Sequence, residues 1–275
     1  MKISSVSDYF KEKVVLITGS SGGIGKALAI SLLKSGSYVI LNGTNQNKLD
    51  KTFLELKKIA KYVHQVSCDI SVIEEAERLV NECIEVFGKL DIVINNAGLS
   101  MGGQFDELDL KAFKKVIDVN LLGSAYISKF ALPHLRKQEG SLIFTSSIAG
   151  IHGLPFFAPY SVSKMGLRAM AESLRIEEYK TNVHVGLMFI GFTENDPEKR
   201  SFNSSGKLIE LKERKGLKKQ SQELVSQLIM TKIKKRKFIS FLNPMGKVTM
   251  LVNRFFPFLL HFILRKSLKR IKQLS

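Results

Sequence analysis

A glycine-rich turn between an apolar strand and a helical segment limits the possible folds of this chain more than any other feature. Residues 13–18 predict a buried strand, because residues 14–17 are all apolar without alternation. The turn that follows contains Gly19, Ser21, Gly22, Gly23, Ile24 and Gly25 and leads into a helical pattern over residues 26–34. Glycines let the backbone approach an anion, which the N–H groups and the dipole of the helix then face. A plain tight connection can use the same glycines, but the position directly after the first strand favours a phosphate site.

Strands and helices alternate along most of the chain. The patterns predict strands at 38–41, 62–67, 90–94, 141–145, 183–189 and 238–242, and helices at 47–60, 71–87, 111–136 and 221–230. Ser71 and Glu74 have the spacing of a capping box at the start of the helix 71–87. Such alternation indicates βαβ units in a parallel sheet, whose ligands bind at the carboxyl ends of the strands. We therefore expect an α/β protein with a Rossmann-type, doubly wound parallel sheet flanked by helices.

The end of the second predicted strand bears on the choice of dinucleotide. A carboxylate there would bond the ribose hydroxyls of NAD and repel the 2′-phosphate of NADP. Residues 42–45 are Asn, Gly, Thr and Asn, so this position has neither a carboxylate nor an arginine for the phosphate. Thr44 and Asn45 remain as hydroxyl and amide donors. We favour NADP(H) over NAD(H) as the cofactor.

Tyr160 and Lys164 lie four residues apart in a predicted helix. Positions i and i+4 share a helical face, so the phenol and the ammonium project into the same space. A nearby cation favours the phenolate and lowers the pKa of a phenol from its usual value of about 10, which suits a proton donor and acceptor. Ser147 lies just beyond the predicted strand 141–145 and could add a second hydrogen bond to a carbonyl oxygen that gains charge. Such Tyr–Lys pairs are common on surface helices, so the weight of this one depends on the rest of the chain.

Several motifs in order resemble those of the classical short-chain dehydrogenase/reductase family, over roughly residues 10–195. They are Thr18, Gly19, Gly23, Ile24 and Gly25 in the turn; Asn95, Asn96, Ala97 and Gly98 after the strand 90–94; Asn120; Ser147; and Tyr160 with Lys164. The resemblance implies that Tyr160 is the general acid/base, that Lys164 holds the nicotinamide ribose and that Ser147 positions the carbonyl. Asn120, which from its apolar surroundings could equally be a satisfied core amide, is implied to complete a proton relay through water.

The resemblance also implies further contacts with the cofactor. Asp69 and Ile70 would approach the adenine, and Asn96, Ala97 and Gly98 the adenosine side. Ile190, Gly191 and Thr193 match the place where the family contacts the nicotinamide carboxamide. The family often has a proline before that glycine, where this chain has Ile190. The difference concerns the course of the loop and not the activity.

The carboxyl-terminal part of the chain lies outside these motifs. Residues 194–216 are polar and charged, fit neither strand nor helix until about residue 207, and lie where the family has a mobile substrate lid. After Glu223 the chain has no acidic residue but twelve lysines and arginines, interleaved with apolar and aromatic residues, and Pro257 should divide any helix there. One interpretation is a helix packed over the substrate pocket or a subunit interface. The other is an amphipathic element on an anionic membrane. Nucleic-acid binding is less favoured because no recognition motif accompanies the charge.

Composition excludes several other classes of protein. No apolar run approaches the roughly eighteen residues of a membrane span, and the polar amino terminus lacks the core of a signal peptide. Cys68, Cys83 and the five histidines have no metal-ligand spacing, so we expect reduced cysteines and no metal. We expect a cytoplasmic protein, peripheral at a membrane surface if the tail binds lipid. The family resemblance suggests a homodimer or homotetramer.

These observations combine into one expectation. Residues 1–242 form a single Rossmann-type domain, including a lid at about 194–216, and residues 243–275 form a basic amphipathic extension of that domain. The expected activity is NADPH-dependent reduction of a ketone or aldehyde on a hydrophobic substrate, with Tyr160 as the general acid. The alternatives are an NAD-dependent alcohol dehydrogenase and a non-catalytic dinucleotide-binding protein at a membrane surface. The intact set of Ser147, Tyr160 and Lys164 argues against the non-catalytic alternative.

Overall fold

A seven-stranded parallel sheet forms the centre of the molecule. The computed structural model describes residues 6–211 and 219–273. Within them the strands are β1 Val14–Ile17, β2 Tyr38–Gly43, β3 Val63–Ser67, β4 Ile92–Asn95, β5 Ser141–Ser147, β6 His184–Ile190, β7 Arg200–Phe202, β8 Leu208–Glu210 and β9 Ile239–Phe241. The large sheet has the order β3-β2-β1-β4-β5-β6-β9, and every pairing in it is parallel. The predicted doubly wound sheet is confirmed, and all seven of its predicted strands are present.

Helices cover both faces of the sheet. They are α1 Val6–Phe10, α2 Gly23–Lys34, α3 Gln46–Lys57, α4 Ile73–Phe87, α5 Leu110–Ile117, α6 Gly123–Lys137, α7 Ala158–Glu177, α8 Gln222–Lys234, α9 Pro244–Phe255, α10 Pro257–Lys266 and α11 Leu268–Lys272. One core joins the sheet to α4, α6 and α7, and the other joins it to α2, α3 and α8. The strands are apolar without alternation because side chains on both faces are buried.

The order of the strands places the site. β1 lies between β2 and β4, so the connection after β1 runs to one side of β1 and the connection after β3 returns to its other side. A crevice opens at such a point, outside the carboxyl ends of the strands. The glycine turn after β1 and the Asn95–Gly98 segment at the end of β4 meet in this crevice, while Ser147 ends β5 farther along the same edge.

Two local expectations are wrong. α4 begins at Ile73 after Val72, and Ser71 donates its hydroxyl to Asp69 instead of capping the helix with Glu74. Residues 194–211 also contain regular structure where none was expected before residue 207. Here β7 and β8 pair antiparallel through a turn at Gly206, which has φ +77. Phe202 of β7 donates its N–H to Ser100 and accepts one from Gly102, which fixes the pair beside the loop after β4. Residues 212–216 of the expected lid lie outside the described residues.

The tail after β9 is helical and divided as expected. α9 ends at Phe255, and α10 begins at Pro257, whose ring cannot continue the preceding helix. Asn243 caps α9 by accepting the N–H of Gly246 at 2.7 Å. Across the described ranges, none of the helices has the length and apolar character to cross a membrane.

Candidate active site

Thr18 ties the glycine turn to the end of β4. Its hydroxyl accepts the backbone N–H groups of Asn96 and Ala97, each at 3.0 Å. The Asn96 amide in turn donates to the carbonyl oxygens of Thr18 and Gly19, again at 3.0 Å. Gly19 has φ +62, and a Cβ built on it would lie 2.7 Å from the Cα of Ala97. Only glycine allows the two strand ends to approach this closely.

The start of α2 is suited to hold a phosphate. Gly22 occupies the N-cap position and has no side chain to bond the first N–H groups of the helix, and Gly23 follows with φ +54. Gly25 packs against the carbonyl oxygen of Gly19, so no side chain fits between helix and turn. Ile24 packs on the core below α2 and fixes the helix to the sheet. The open N–H groups and the helix dipole therefore face the crevice, which fits a dinucleotide diphosphate.

The second strand ends without a carboxylate. Asn42 at its end accepts the N–H of Gly19 and donates to the carbonyl oxygens of Val66 and Cys68, so it links β2 to its neighbours. Thr44 is exposed, whereas the Asn45 side chain caps α3 by accepting the N–H of Lys48 at 2.9 Å. The carbonyl oxygen of the Asn45 amide is therefore engaged, and its NH₂ group remains as the donor.

Lys48 is a residue that the sequence interpretation missed. Its ammonium lies beside Gly22, 2.8 Å from a Cβ built there, and forms ion pairs with Asp196 at 3.2 Å and Glu198 at 3.1 Å. Asp196 Oδ2 also lies against Gly22. The first turn of α3 thus brings a cation to the glycine turn and the start of α2, which together we call the phosphate cradle. The segment after β6 brings two carboxylates to the same place. The sequence signal that could have identified it was a lysine four residues after Thr44, in the first turn of a helix that must start beside the glycine turn.

Asp69 and Ile70 lie at the far end of the crevice. Asp69 accepts hydrogen bonds from Lys115 Nζ and the Ser71 hydroxyl, both at 2.6 Å. Burial opposes ionisation of Asp69, but these bonds outweigh it and hold the pKa of the carboxyl below its usual value. Ile70 is buried and packs against Gly123 at the start of α6. Both residues follow β3 on the edge where an adenine would lie.

Asn120 lies in a π-helical turn, Asp118–Leu122, between α5 and α6. Its amide oxygen accepts the N–H of Leu99 at 2.7 Å, and its NH₂ donates to the Leu99 carbonyl and the Ser163 hydroxyl, both at 2.9 Å. Ser163 donates to the carbonyl oxygen of Tyr160. The buried amide therefore fixes the loop after Gly98 to the first turn of α7. Single π turns of this kind often occur at functional sites.

Lys164 is buried beneath the site. Its Nζ donates to the carbonyl oxygen of Thr145 at 2.9 Å, lies 5.8 Å from the centre of the Tyr160 ring, and is 3.6 Å from a Cβ built on Gly98. Burial, with a smaller contribution from the charge of Lys199, lowers the pKa of Lys164 to about 7. Tyr160 and Lys164 thus lie on one face of α7, as the spacing predicted. In this structure the Lys164 ammonium is the main form only below about that pH.

Ser147 and the segment after β6 close the end of the crevice farther from the glycine turn. Ser147 is half-buried, pairs with Ile190 in the sheet, and accepts the N–H of Ala149 at 3.4 Å. Thr193 donates its hydroxyl to the Gly191 carbonyl oxygen at 3.3 Å, which folds the segment back over the strand ends. Gly191 packs directly against the Asn243 side chain and leaves no room for a larger residue. The loop without the family proline is thus held by the start of α9.

Together these groups fit a redox enzyme with a bound dinucleotide. The crevice has a phosphate cradle at one end and a hydroxyl, a phenol and an amine at the other. A model of the short chain dehydrogenase family matches residues 13–205. The chain belongs to the short-chain dehydrogenase family.

Curated relatives of this short-chain dehydrogenase include two named enzymes. The mouse 3-ketodihydrosphingosine reductase is 35% identical over 181 residues, which are 64% of this chain and 54% of the relative. The 11-beta-hydroxysteroid dehydrogenase-like 4A of Arabidopsis thaliana is 36% identical over 191 residues, which are 69% of this chain and 64% of the relative. The matches thus span between about half and two thirds of these relatives.

Solved structures of the family share the fold of this short-chain dehydrogenase. A Burkholderia phymatum short chain dehydrogenase/reductase in complex with NAD has a TM-score of 0.79 at 23% identity, covering 89% of this chain and 94% of that one. An alcohol dehydrogenase from the archaeon Thermococcus sibiricus, complexed with 5-hydroxy-NADP, has a TM-score of 0.73 at 26% identity, covering 84% and 95%. Both types of nicotinamide dinucleotide therefore occur among the structural neighbours.

Proposed function

We propose that this chain is an NADPH-dependent reductase of ketones or aldehydes on hydrophobic substrates. The observation that carries the proposal is the buried Lys164 beneath Tyr160 on the first turns of α7, with Ser147 at the end of β5. A phenol above a buried amine can give a proton to a carbonyl oxygen, and a second hydroxyl can hold that oxygen in place. The name of the mouse relative, a reductase of a ketone on a sphingoid lipid, supports a lipophilic substrate.

Each residue of this set has a role in the proposed reaction. The chemistry that a reduced nicotinamide would supply here, when bound, is a hydride for the carbonyl carbon. Tyr160 donates its phenolic proton to the carbonyl oxygen, while the Ser147 hydroxyl donates a hydrogen bond to the same oxygen as charge develops. Lys164 in its ammonium form stabilises the resulting phenolate. Asn120 keeps Tyr160 in position through Ser163 and would complete a proton relay through water.

The residues of the crevice would hold the cofactor along its length. The turn from Gly19 through Ser21, Gly22, Gly23, Ile24 and Gly25 would hold the diphosphate. Asp69, Ile70, Asn96, Ala97 and Gly98 would line the adenosine part. Tyr160, Lys164, Ile190, Gly191 and Thr193 would contact the nicotinamide part.

The preference for NADPH rests on the adenosine end of the crevice. No carboxylate follows β2 to repel a 2′-phosphate, and Lys48 adds an ammonium beside Gly22 to the donors of Thr44 and Asn45. A charge-assisted bond of an ammonium to a phosphate contributes about 1.5–3 kcal/mol.

The experiment is a fluorescence titration with NADPH and NADH, followed by turnover of ketones of increasing apolar length. We expect tighter binding of NADPH and faster turnover of the more apolar ketones. Lys48→Ala should weaken NADPH binding about 10- to 100-fold and NADH binding less, because NADH shares the diphosphate beside Gly22 but lacks the 2′-phosphate. Lys51→Ala, an exposed lysine on the same helix, is the matched control. Tighter binding of NADH would favour the alternative of an NAD-dependent alcohol dehydrogenase.

We also propose the assembly and location of the protein. Val162 and Met165, three residues apart on α7, share an exposed apolar face, which a second copy would cover in a homodimer or homotetramer. Light scattering of the purified protein tests this assembly, and a monomer would contradict it. The buried thiols of Cys68 and Cys83 are both free, in keeping with a reducing cytoplasm. The protein would lie there at a membrane surface, in contact through residues 243–275.

A further inference from the structure

We propose that α9, α10 and α11 form a docking surface for a bilayer that contains anionic phospholipid, and that docking turns the substrate entrance toward the lipid. The inference deepens the proposed function, on which it rests for the lipophilic substrate. The tail surface consists of exposed apolar residues and of the cations around them. The apolar members are Met245, Val248, Leu251, Phe255, Phe256, Phe258, Leu259, Phe262, Ile263 and Leu268.

The apolar members are exposed because the tail packs on the domain through other residues, such as Met250 and Asn253 of α9. Phe258 is 86% exposed and Phe255 is 63% exposed, whereas Leu260 of α10 is 7% exposed. Met250 packs against the core that lies under α7. Four phenylalanines thus remain open to solvent on α9, on α10 and between them, at Phe255, Phe256, Phe258 and Phe262. The exposed apolar residues at 245, 248, 251 and 255 share one face of α9, and an exposed apolar face of this kind marks an interaction site.

Positive charge surrounds this apolar surface. The cations of the tail are Lys247, Arg254, Arg265, Lys266, Lys269, Arg270 and Lys272, and the chain has no carboxylate side chain after Glu223. Lys266 lies 4.5 Å from the centre of the Phe262 ring, and Arg254 lies 5.7 Å from that of Phe255. Aromatic rings that enter the interface next to cations at the level of the phosphates are typical of helices lying on anionic membranes.

Charge complementarity selects the lipid over a second copy of this chain. The protein carries a net charge of +17, and the tail contributes cations alone, so two tails facing each other would repel. An anionic lipid surface attracts nearby lysines and arginines, and its acyl chains accept the exposed phenylalanines. The tail surface therefore fits a bilayer in both its charge and its apolar character.

The tail is attached to the segment that connects Ser147 with Tyr160. Asn253 of α9 donates to the carbonyl oxygen of Ile151, and its amide oxygen lies 2.9 Å from His152 Nδ1. The rings of His152 and His261 lie 5.3 Å apart. Lys272 of α11 lies 5.9 Å from the centre of the Phe156 ring. A bilayer under the tail surface would therefore lie beside the segment through which a substrate reaches Ser147 and Tyr160.

Sedimentation of the full chain with vesicles tests the docking without any substrate. The probes are vesicles of phosphatidylcholine alone and of phosphatidylcholine with phosphatidylserine, each at low and high salt. We expect binding to the anionic vesicles at low salt, weakened by salt, and little binding to the neutral ones. Absence of binding to the anionic vesicles at low salt would overturn the proposal.

Two sets of variants assign the binding to the tail surface. The triple variant Phe255→Ser, Phe258→Ser and Phe262→Ser should reduce vesicle binding about tenfold or more. Its control changes the exposed Leu54, Ile176 and Tyr179 to serine and should bind as the wild type does. Lys266→Glu with Lys269→Glu should reduce binding more than fivefold per charge, from about 1 kcal/mol for each lost cation plus repulsion. The control for charge is Lys58→Glu with Lys61→Glu, because both lysines are exposed and lie outside residues 243–275.

The outcomes separate this inference from the proposed function. Vesicle binding that is equal in the tail variants and their controls contradicts the docking surface, whatever the turnover. Dissociation of an oligomer in the triple variant, without vesicle binding by the wild type, would assign the surface to a second copy. Tight binding of an oligonucleotide in place of vesicles would assign it to nucleic acid. Either result would overturn the proposal while NADPH turnover remained as proposed.

Discussion

At the turn after β1, backbone atoms of two strands are held together by one threonine hydroxyl and one asparagine amide. Around the segment after β5, the contacts come from side chains of the distant tail, such as Asn253 and His261. The proposed cofactor end is thus built from glycine geometry and short polar contacts between strand ends. The proposed substrate end is assembled from parts of the chain that lie about one hundred residues apart, for instance Ile151 and Asn253. NAD and NADP differ by one phosphate, whereas the substrates of such a family differ widely, so a site of this type keeps one end nearly fixed and varies the other.

A glycine exchange at each end should show the largest contrast. In Gly19→Ala the new Cβ would collide with Ala97 at a backbone of φ +62. We expect a loss of about 1–3 kcal/mol in the free energy of unfolding and no detectable NADPH binding. Gly153→Ala is the matched control, because a Cβ there meets nothing within 4 Å among the described residues. Chemical denaturation and fluorescence titration check both variants. Equal losses of stability and of NADPH binding in the two variants would contradict the difference between the two ends.

The pH dependence of turnover should distinguish the two ends next. Burial lowers the pKa of Lys164 to about 7, so its ammonium is present below that pH and is lost as the pH rises through it. We expect kcat/KM, which reports groups of the free enzyme, to fall about tenfold per pH unit above about 7. In His152→Gln, a change at the substrate end, the falling limb should stay at the same pH. A limb that moved or disappeared in that variant would contradict its assignment to Lys164.

The smallest effect is expected where the two ends meet. Asp196 and Glu198, from the segment after β6, pair with Lys48 beside the phosphate cradle. Their removal in Asp196→Asn with Glu198→Gln frees the ammonium and removes two negative charges near the diphosphate. We expect about two- to fivefold tighter NADPH binding by titration, the range of a partly exposed ion pair. Glu210→Gln, an exposed carboxylate of β8 paired with Arg200, should leave the affinity unchanged. Weaker NADPH binding in the double variant would mean that the carboxylates support the cradle.

Features of the structure differ in how well the sequence predicted them, depending on whether they have a local sequence signal. The seven strands of the sheet were predictable because apolar runs and glycine turns are local signals, and residues such as Gly19 and Asn96 meet through the order of the strands. The β7–β8 pair was missed because three-residue strands with charged ends, at Arg200 and Glu210, carry no clear alternation. Lys48 was missed because its importance depends on where the first turn of α3 lies. The Ser71–Glu74 capping box failed because Asp69 took the serine hydroxyl.

The measurement that tests the central claim most directly is the turnover of Tyr160→Phe beside its NADPH affinity. The exchange removes one hydroxyl and keeps the ring above Lys164. We predict a loss of turnover of about 10²–10⁴-fold, the contribution of a positioned acid, with the NADPH dissociation constant within a few-fold of the wild type. Tyr179→Phe, an exposed tyrosine, is the control and should be fully active. Unchanged turnover in Tyr160→Phe would contradict the account, because proton transfer would then not depend on this phenol.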